Sequence, residues 1–228
     1  MSESIFRADG ERLAPTEQAR GPWDPRALHG GAPAALIASV FERLQPGAEL
    51  RIARLGFEFL RPIPLAPLTL TTNIVRPGRR VQELVAELRV VPDDAVGDDS
   101  DGDRGSGAGG EQDGLLVCRA SALRVQEISS AAAAAASPAA GVDADPLPEP
   151  ETGKPVRFSL NGGDEASFAA SAMEMRWLDD PRAPGPARVW MRLRHPLLLF
   201  ARRNLLLQTG NLRILLRNHF LQARQLLL

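Results

Sequence analysis

The stretch that decides the fold is Gly21-Pro22-Trp23-Asp24-Pro25-Arg26-Ala27-Leu28-His29-Gly30-Gly31, which leads directly into an apolar run, Ala32 to Leu44. The run predicts a largely buried helix from about Gly30 to Leu44, because its apolar side chains cover more than one helical face. Pro33 suits the first turn, where its missing N–H costs nothing, and Pro46-Gly47 ends the helix. A histidine and two glycines therefore stand at the start of a buried helix.

Strands are predicted on both sides of this helix. A first strand lies within Ser4 to Ala19 and carries the turn signal Asp9-Gly10. After the helix, apolar and polar residues alternate, with Leu55, Phe57 and Phe59 on one face of the first run. The runs are Arg54 to Phe59, Leu68 to Ile74, Glu83 to Val90 and Leu115 to Val125. Faces of this kind predict an α+β fold in which one side of an antiparallel sheet packs on the helix.

Composition divides the chain into four parts. Residues 1–128 form the first domain, interrupted at about 93–113 by a loop rich in Asp, Gly and Ser that is predicted to be disordered. Residues 129–153, rich in Ala and Pro, predict a linker. Residues 154–196 predict the opening strands of a second domain of the same kind, and residues 197–228 are basic and leucine-rich.

The second half of the chain is less complete than the first. It offers two alternating segments, Ser167 to Trp177 and Ala187 to His195. Beyond them, Asn204 to Leu228 predicts a basic amphipathic helix interrupted by Gly210. Such a helix is typical of a segment that docks on a membrane surface or a partner. A truncated or frame-altered end is the alternative, and the abrupt change of composition favours it.

Bulk composition excludes several classes of function. A net charge of −1 over 228 residues gives no reason to expect nucleic acid as the partner. The single cysteine, Cys118, is predicted to be a core residue and suits the reducing cytoplasm. The sequence has no uncharged window of about twenty residues, so no integral membrane segment is predicted. The histidines have no ligand spacing to other His, Cys or acidic residues, and neither a metal nor a cofactor is predicted.

The chemistry predicted for His29-Gly30-Gly31 follows from helix geometry. The first N–H groups of a helix have no partner within it and lie at the positive end of its dipole. Glycine lets a polarised carbonyl approach this backbone closely, and preorganised donors there would stabilise a developing oxyanion. The alternative is that the glycines only form a tight turn into the helix and that His29 has a structural role.

The order of these motifs resembles the hotdog-fold acyl-CoA thioesterases. The resemblance lies in Trp23-Asp24-Pro25 followed by His29-Gly30-Gly31, the alanine-rich helix, and strands that begin Leu55-Gly-Phe-Glu-Phe-Leu-Arg-Pro-Ile-Pro. More narrowly, residues 1–126 resemble the first half of the double-hotdog, thioesterase II-like proteins, and Phe168 to Pro196 is similar to the start of their second hotdog. This resemblance implies a sheet wrapped around a long helix, and it implies the hydrolysis of acyl-CoA thioesters.

The resemblance also implies roles for particular residues. The amides of Gly30 and Gly31, with His29, would polarise the thioester carbonyl. The acyl chain would lie in a tunnel lined by four apolar side chains, those of Leu36, Val40, Phe57 and Phe59. Asp24, the nearest acid before the helix, is a candidate for a base that orients water, although Asp24-Pro25 also favours a turn.

The predicted function is therefore cleavage of a fatty acyl-CoA to the free acid and CoA, a hydrolase of lipid metabolism. The carboxylate that relatives place along the helix has no counterpart at Leu36 to Val40, which keeps open a non-catalytic acyl-CoA binding module or an inactive remnant. A lone hotdog leaves an open sheet edge and half a pocket, so a homodimer is expected.

Overall fold

The computed structural model describes residues 3–44, 49–92, 114–127, 131, 148–157, 166–179 and 188–200, and the backbone of residues 204–209 and 212–217. The loop predicted at about 93–113 and residues 218–228 lie outside the described residues. So does most of the linker predicted at 129–153.

The central helix, α1, spans Gly31–Arg43, as the apolar run predicts. Leu36, Ile37 and Phe41 are at most 1% exposed, so the helix packs into the core along most of its length. Beyond its last turn, the guanidinium of Arg124 donates to the carbonyl of Leu44 at 2.7 Å. No helix in the described part of the chain is long and apolar enough to cross a membrane.

Seven strands form the main sheet, which curls around α1. The strands before residue 130 are β1 (Phe6–Asp9), β2 (Arg12–Pro15), β3 (Leu50–Phe59), β4 (Leu68–Arg76), β5 (Val81–Val90) and β6 (Leu115–Gln126). The later strands are β7 (Lys154–Val156), β8 (Met173–Trp177), β9 (Val189–Leu193), β10 (Leu198–Phe200), β11 (Asn204–Thr209) and β12 (Leu212–Arg217). The order in the sheet is β10-β1-β2-β4-β5-β6-β3, antiparallel except between β10 and β1.

The predicted α+β hotdog architecture is confirmed. The β1–β2 hairpin turns at Asp9-Gly10, where the glycine has φ 61°. Strands β4, β5 and β6 turn one apolar face to the helix, and Leu84, Leu88 and Cys118 are fully buried there. Cys118 is thus a core residue, as predicted, and burial raises the pKa of its thiol.

The segment after the linker forms a second, smaller sheet of three strands in the order β7-β8-β9. The strand predicted from Ser167 to Trp177 begins only at Met173, and residues Phe168–Ala172 form a π-helical turn. The prediction of a strand there is wrong because Ser167 caps the turn: its side chain accepts the Ala170 N–H at 3.1 Å.

The basic tail also differs from the prediction. Strands β11 and β12 pair antiparallel from Asn204↔Arg217 to Thr209↔Leu212, so the helix predicted from Asn204 to Leu228 is wrong over residues 204–209 and 212–217. The leucines fall in short continuous runs, which periodicity alone does not distinguish between helix and strand. Gly210 separates the two runs, and a glycine between apolar runs is a turn signal.

Candidate active site at the start of the central helix

The loop that carries the predicted motif is pinned to its neighbours by backbone hydrogen bonds. The N–H of Leu28 donates to the carbonyl of Ile63 at 2.7 Å, and the N–H of His29 donates to that of Ala19 at 2.9 Å. Residues Glu17–Ala19, a 3-10 turn, therefore lie directly beside the start of α1. The position of the His29 backbone is fixed by two other parts of the chain.

The backbone N–H groups at the start of the helix differ in whether they already have a hydrogen-bond partner. The N–H of Gly31 donates to Nδ1 of His29 at 3.0 Å, and that of Ala32 donates to the carbonyl of His29 at 2.9 Å. Pro33 has no N–H. Among the described residues, the N–H of Gly30 has no hydrogen-bond partner. The Gly31 N–H is thus engaged by His29, whereas the Gly30 N–H is open within the described part of the chain, and contact of these amides with a substrate stays a prediction.

The same hydrogen bond fixes the chemical state of His29. Since Nδ1 accepts the Gly31 N–H, the proton of the neutral ring is on Nε2. Burial of the half-buried ring lowers the pKa of His29 below its ordinary 6.5, which favours the neutral form at pH 7. In this tautomer, Nε2 offers a hydrogen-bond donor and has no lone pair with which to accept a proton.

Aromatic rings flank both glycines. A Cβ on Gly30 would lie 3.5 Å from the Cζ of Phe59, whose ring is 48% exposed and stacks on Phe57 at 6.3 Å. A Cβ on Gly31 would lie only 2.9 Å from the Cε1 of Phe168. The Phe168 ring stacks on His29, with centroids 5.1 Å apart and planes 22° apart. The start of the helix is thus flanked by aromatic side chains on both sides.

The structure brings some of the predicted site residues together and separates others. His29, Gly30, Gly31 and Phe59 meet at the start of α1, and Phe57 stacks behind Phe59. Leu36 and Val40 are 1% and 8% exposed in the core. They could contact an acyl chain only if it entered between helix and sheet. Their role in binding stays a prediction.

Asp24 lies in an exposed turn, where the Ala27 N–H donates to its carbonyl at 3.0 Å. Its carboxylate accepts the Arg26 N–H at 2.9 Å and the Arg26 guanidinium at 3.2 and 3.3 Å. The Arg26 side-chain hydrogen bond holds the pKa of Asp24 below its usual range. The carboxylate is ionised but engaged by arginine, which weakens it as a base for water.

Within the described residues, no carboxylate is hydrogen-bonded to His29. Nor do three His, Cys, Asp or Glu side chains of that part of the chain come close enough together to hold a metal ion. The described part of the site therefore offers hydrogen-bond donors next to apolar side chains.

Sequence reasoning missed the contribution of the π-helical turn to this region. Phe168 is buried against the ring of His29, and Ser171 donates to the buried Oε1 of Gln18 at 2.5 Å. No local pattern indicates the long-range contact of Phe168. The cap was visible as Ser167 before an apolar segment, a typical signal for the start of a helical turn.

Comparison with known proteins agrees with this geometry. Residues 19–125 match the family model described as the acyl-CoA thioesterase N-terminal domain. The family resemblance drawn from the sequence is thereby confirmed. No curated protein matches the chain.

Solved structures similar to the chain carry the same kind of description. A proposed thioesterase from Novosphingobium aromaticivorans is 22% identical, with a TM-score of 0.53, and the match covers 83% of this chain and 64% of that one. This likeness shows the fold. A proposed thioesterase II from Thermobifida fusca is 14% identical over 76% of this chain and 52% of that one, with a TM-score of 0.44. The chain thus spans less than two thirds of the length of either protein.

Proposed function

We propose that the chain hydrolyses fatty acyl-CoA thioesters at the start of α1, and the match of residues 19–125 to the acyl-CoA thioesterase N-terminal domain supports this proposal. The observation that carries the proposal is the hydrogen bond from the Gly31 N–H to Nδ1 of His29. It leaves the Nε2–H of His29 and the N–H of Gly30 as donors beside the rings of Phe59 and Phe168. A thioester carbonyl is the electrophile that such donors suit.

In the proposed reaction, the carbonyl oxygen accepts hydrogen bonds from His29 and Gly30. Water adds to the carbonyl carbon, the C–S bond breaks, and CoA leaves as a thiolate that takes up a proton. His29 acts as a donor throughout, because its Nδ1 is engaged by Gly31 and its Nε2 carries the proton. Phe57 and Phe59 support the acyl chain, with Leu36 and Val40 along its path into the core.

The proposed partners are acyl-CoA and a second copy of the chain. Strand β3 is the last strand at its end of the sheet, and Leu55 and Phe59 on it are 38% and 48% exposed. An open strand edge with exposed apolar side chains favours pairing with another chain. The cytoplasmic location inferred from the single cysteine stays a prediction.

The test is release of CoA thiol by the full chain and by variants of His29. His29→Ala removes the donor and is expected to lower kcat by about 10²–10³-fold, as the loss of one oxyanion donor does. His29→Gln keeps an oxygen to accept from Gly31 and an N–H₂ to donate, so it should retain more activity than His29→Ala. If both variants lost all thiol release, the result would contradict a donor role for His29 and favour a role as a base. Thiol release by His29→Ala at the unmodified rate would remove His29 from the reaction.

The role predicted for Asp24 is decided by Asp24→Asn in the same assay. A loss as large as that of His29→Ala would make Asp24 the base. A near-normal rate would leave it as a turn residue paired with Arg26.

The second candidate function is acyl-CoA binding without turnover. It is favoured by the lack of a carboxylate on His29 within the described residues. Retention of acyl-CoA by the full chain in equilibrium binding, with no thiol release, would establish it.

A further inference from the structure

The π-helical turn from the second half of the chain lies against the first domain at the candidate site. The N–H of Phe168 donates to the carbonyl of Arg20 at 3.0 Å, and the hydroxyl of Ser171 donates to Gln18. Both partners flank Ala19, whose carbonyl accepts the N–H of His29. The turn and His29 are therefore held by the same short piece of backbone.

The ring of His29 is constrained in two independent ways. The Gly31 N–H fixes its rotation through Nδ1, and the face of Phe168 fixes its tilt through the 5.1 Å stack. Glycine at position 31 is what makes both contacts possible. A Cβ there would lie 2.9 Å from Phe168 and 3.0 Å from Nδ1 of His29, closer than non-bonded atoms can approach without a shift.

Burial, rather than nearby charge, lowers the pKa of His29. Glu17 and Arg20 on the 3-10 turn form an ion pair with each other. Asp24 and Arg26 in the loop do the same. Among the described residues, adjoining segments also carry Glu58 beside Phe59, Arg61 near Ile63, and Arg194, whose backbone N–H donates to the carbonyl of Ala172. Burial is the cause of the lowered pKa of His29, and Phe168, 7% exposed, supplies one of its covering surfaces.

We propose that Phe168 is a positioning residue for His29, so that the first domain has a competent donor only when the π-helical turn is docked on it. The proposal rests on the proposed function for its kinetic consequence. The second half of the chain would then contribute to the site a ring that orients the histidine, without contacting substrate.

The test compares Phe168→Leu with Phe168→Tyr, which keeps the ring, in the full chain. Phe41→Leu is the matched control, because Phe41 is a fully buried phenylalanine on α1 ten residues beyond Gly31, about 15 Å along the helix. The first readout is the titration of the His29 imidazole by proton NMR. The chain has three histidines, and His29→Gln identifies the signal. The second readout is kcat and KM for thiol release.

Phe168→Leu is expected to raise the pKa of His29 toward 6.5 and to lower kcat about tenfold or more, with KM changed less than about threefold. Phe168→Tyr should preserve both quantities, and Phe41→Leu should lower thermal stability while leaving both unchanged. An unchanged His29 titration in Phe168→Leu, or the same change in Phe41→Leu, would overturn the proposal. A full chain without thiol release would contradict the proposed function alone, since the NMR titration still decides whether Phe168 positions His29.

Discussion

At the scale of single residues, His29 and Gly31 act as one unit. The glycine supplies an N–H to the imidazole and leaves room for the Phe168 ring. The histidine in turn satisfies an N–H that would otherwise be unpaired at the start of a helix. The Gly31 N–H is therefore engaged within the protein.

The pH dependence of activity follows from the state of His29. Its folded-state pKa lies below 6.5, so the ring stays neutral as the pH falls past 6.5 and is protonated only at lower pH. Protonation of Nδ1 ends its role as acceptor for Gly31, and kcat/KM should then fall. The pH–rate profile should show this acid limb in the unmodified chain and lose it in His29→Gln. An acid limb that persists in His29→Gln would assign it to another group.

The lowered pKa of His29 also predicts how the free energy of unfolding changes with pH. The unfolded chain takes up a proton near pH 6.5 and the folded chain only at lower pH, so the free energy of unfolding should decrease as the pH falls between these two values. Denaturant titrations across this range should show the decrease to be smaller in His29→Gln.

The two glycines offer a matched pair of substitutions. Gly31→Ala places a Cβ 2.9 Å from Phe168, whereas Gly30→Ala places one at an ordinary 3.5 Å from Phe59. We expect Gly31→Ala to lower the free energy of unfolding by about 1–3 kcal/mol and Gly30→Ala to change it by less than about 1 kcal/mol. Urea denaturation of both variants measures this, and equal costs would contradict the close packing at Gly31.

At the scale of elements, α1 is the part of the fold that the sequence predicted best, and its far end has a feature that the sequence did not indicate. Arg124 is 2% exposed and donates to the carbonyl of Leu44 at 2.7 Å. Burial lowers the pKa of its guanidinium. A cation at a helix C-terminus stabilises the helix through its dipole and through carbonyls that have no helical partner.

Replacing this buried arginine should therefore weaken the whole domain. Arg124→Met keeps much of the volume but leaves the Leu44 carbonyl without this donor, and it should lower the free energy of unfolding by about 1.5–3 kcal/mol. The control is Arg119→Met on the same strand, which removes an exposed ion pair with Glu87 worth less than about 1 kcal/mol. Similar losses in both variants would show that the Leu44 contact does not stabilise the helix.

Other elements show where sequence patterns stop being informative. Strands β4, β5 and β6 largely alternate between buried and more exposed residues, as the sequence pattern predicts, whereas β3 does not alternate and begins at Leu50, before the predicted run. The turn at Phe168–Ala172 sits in an apolar run that reads equally as a strand, and only its contacts with Gln18 and His29 reveal its role. Leu205, Leu212 and Leu216 fall at helical spacing, but they also belong to the short continuous apolar runs of β11 and β12, which periodicity does not distinguish from strands.

At the scale of the whole molecule, the two halves of the chain share one sheet. Strand β10 pairs in parallel with β1, so residues 198–200 belong to the same sheet as the N-terminus. The opposite end of that sheet is β3. The site therefore draws His29 from the first half and Phe168 from the second, a combination that no single segment of sequence could predict.

The expected dimer is tested at the β3 edge. Leu55→Lys places a charge on this exposed strand and should convert a dimer, with twice the chain mass of 24.6 kDa, into a monomer by light scattering. Val75→Lys, at a 56% exposed position on β4, is the matched control and should leave the dimer intact. A monomeric unmodified chain at micromolar concentration would contradict pairing at this edge.

We propose that this chain cleaves acyl-CoA at the start of α1. The most direct measurement is release of CoA thiol from short, medium and long acyl-CoA by the unmodified chain and by Gly31→Val, with thermal unfolding recorded on both. We expect turnover by the unmodified chain and none by Gly31→Val, since a side chain at position 31 displaces Phe168 and His29. No thiol release at any chain length, from a folded chain that still binds acyl-CoA, would contradict it and leave a binding module.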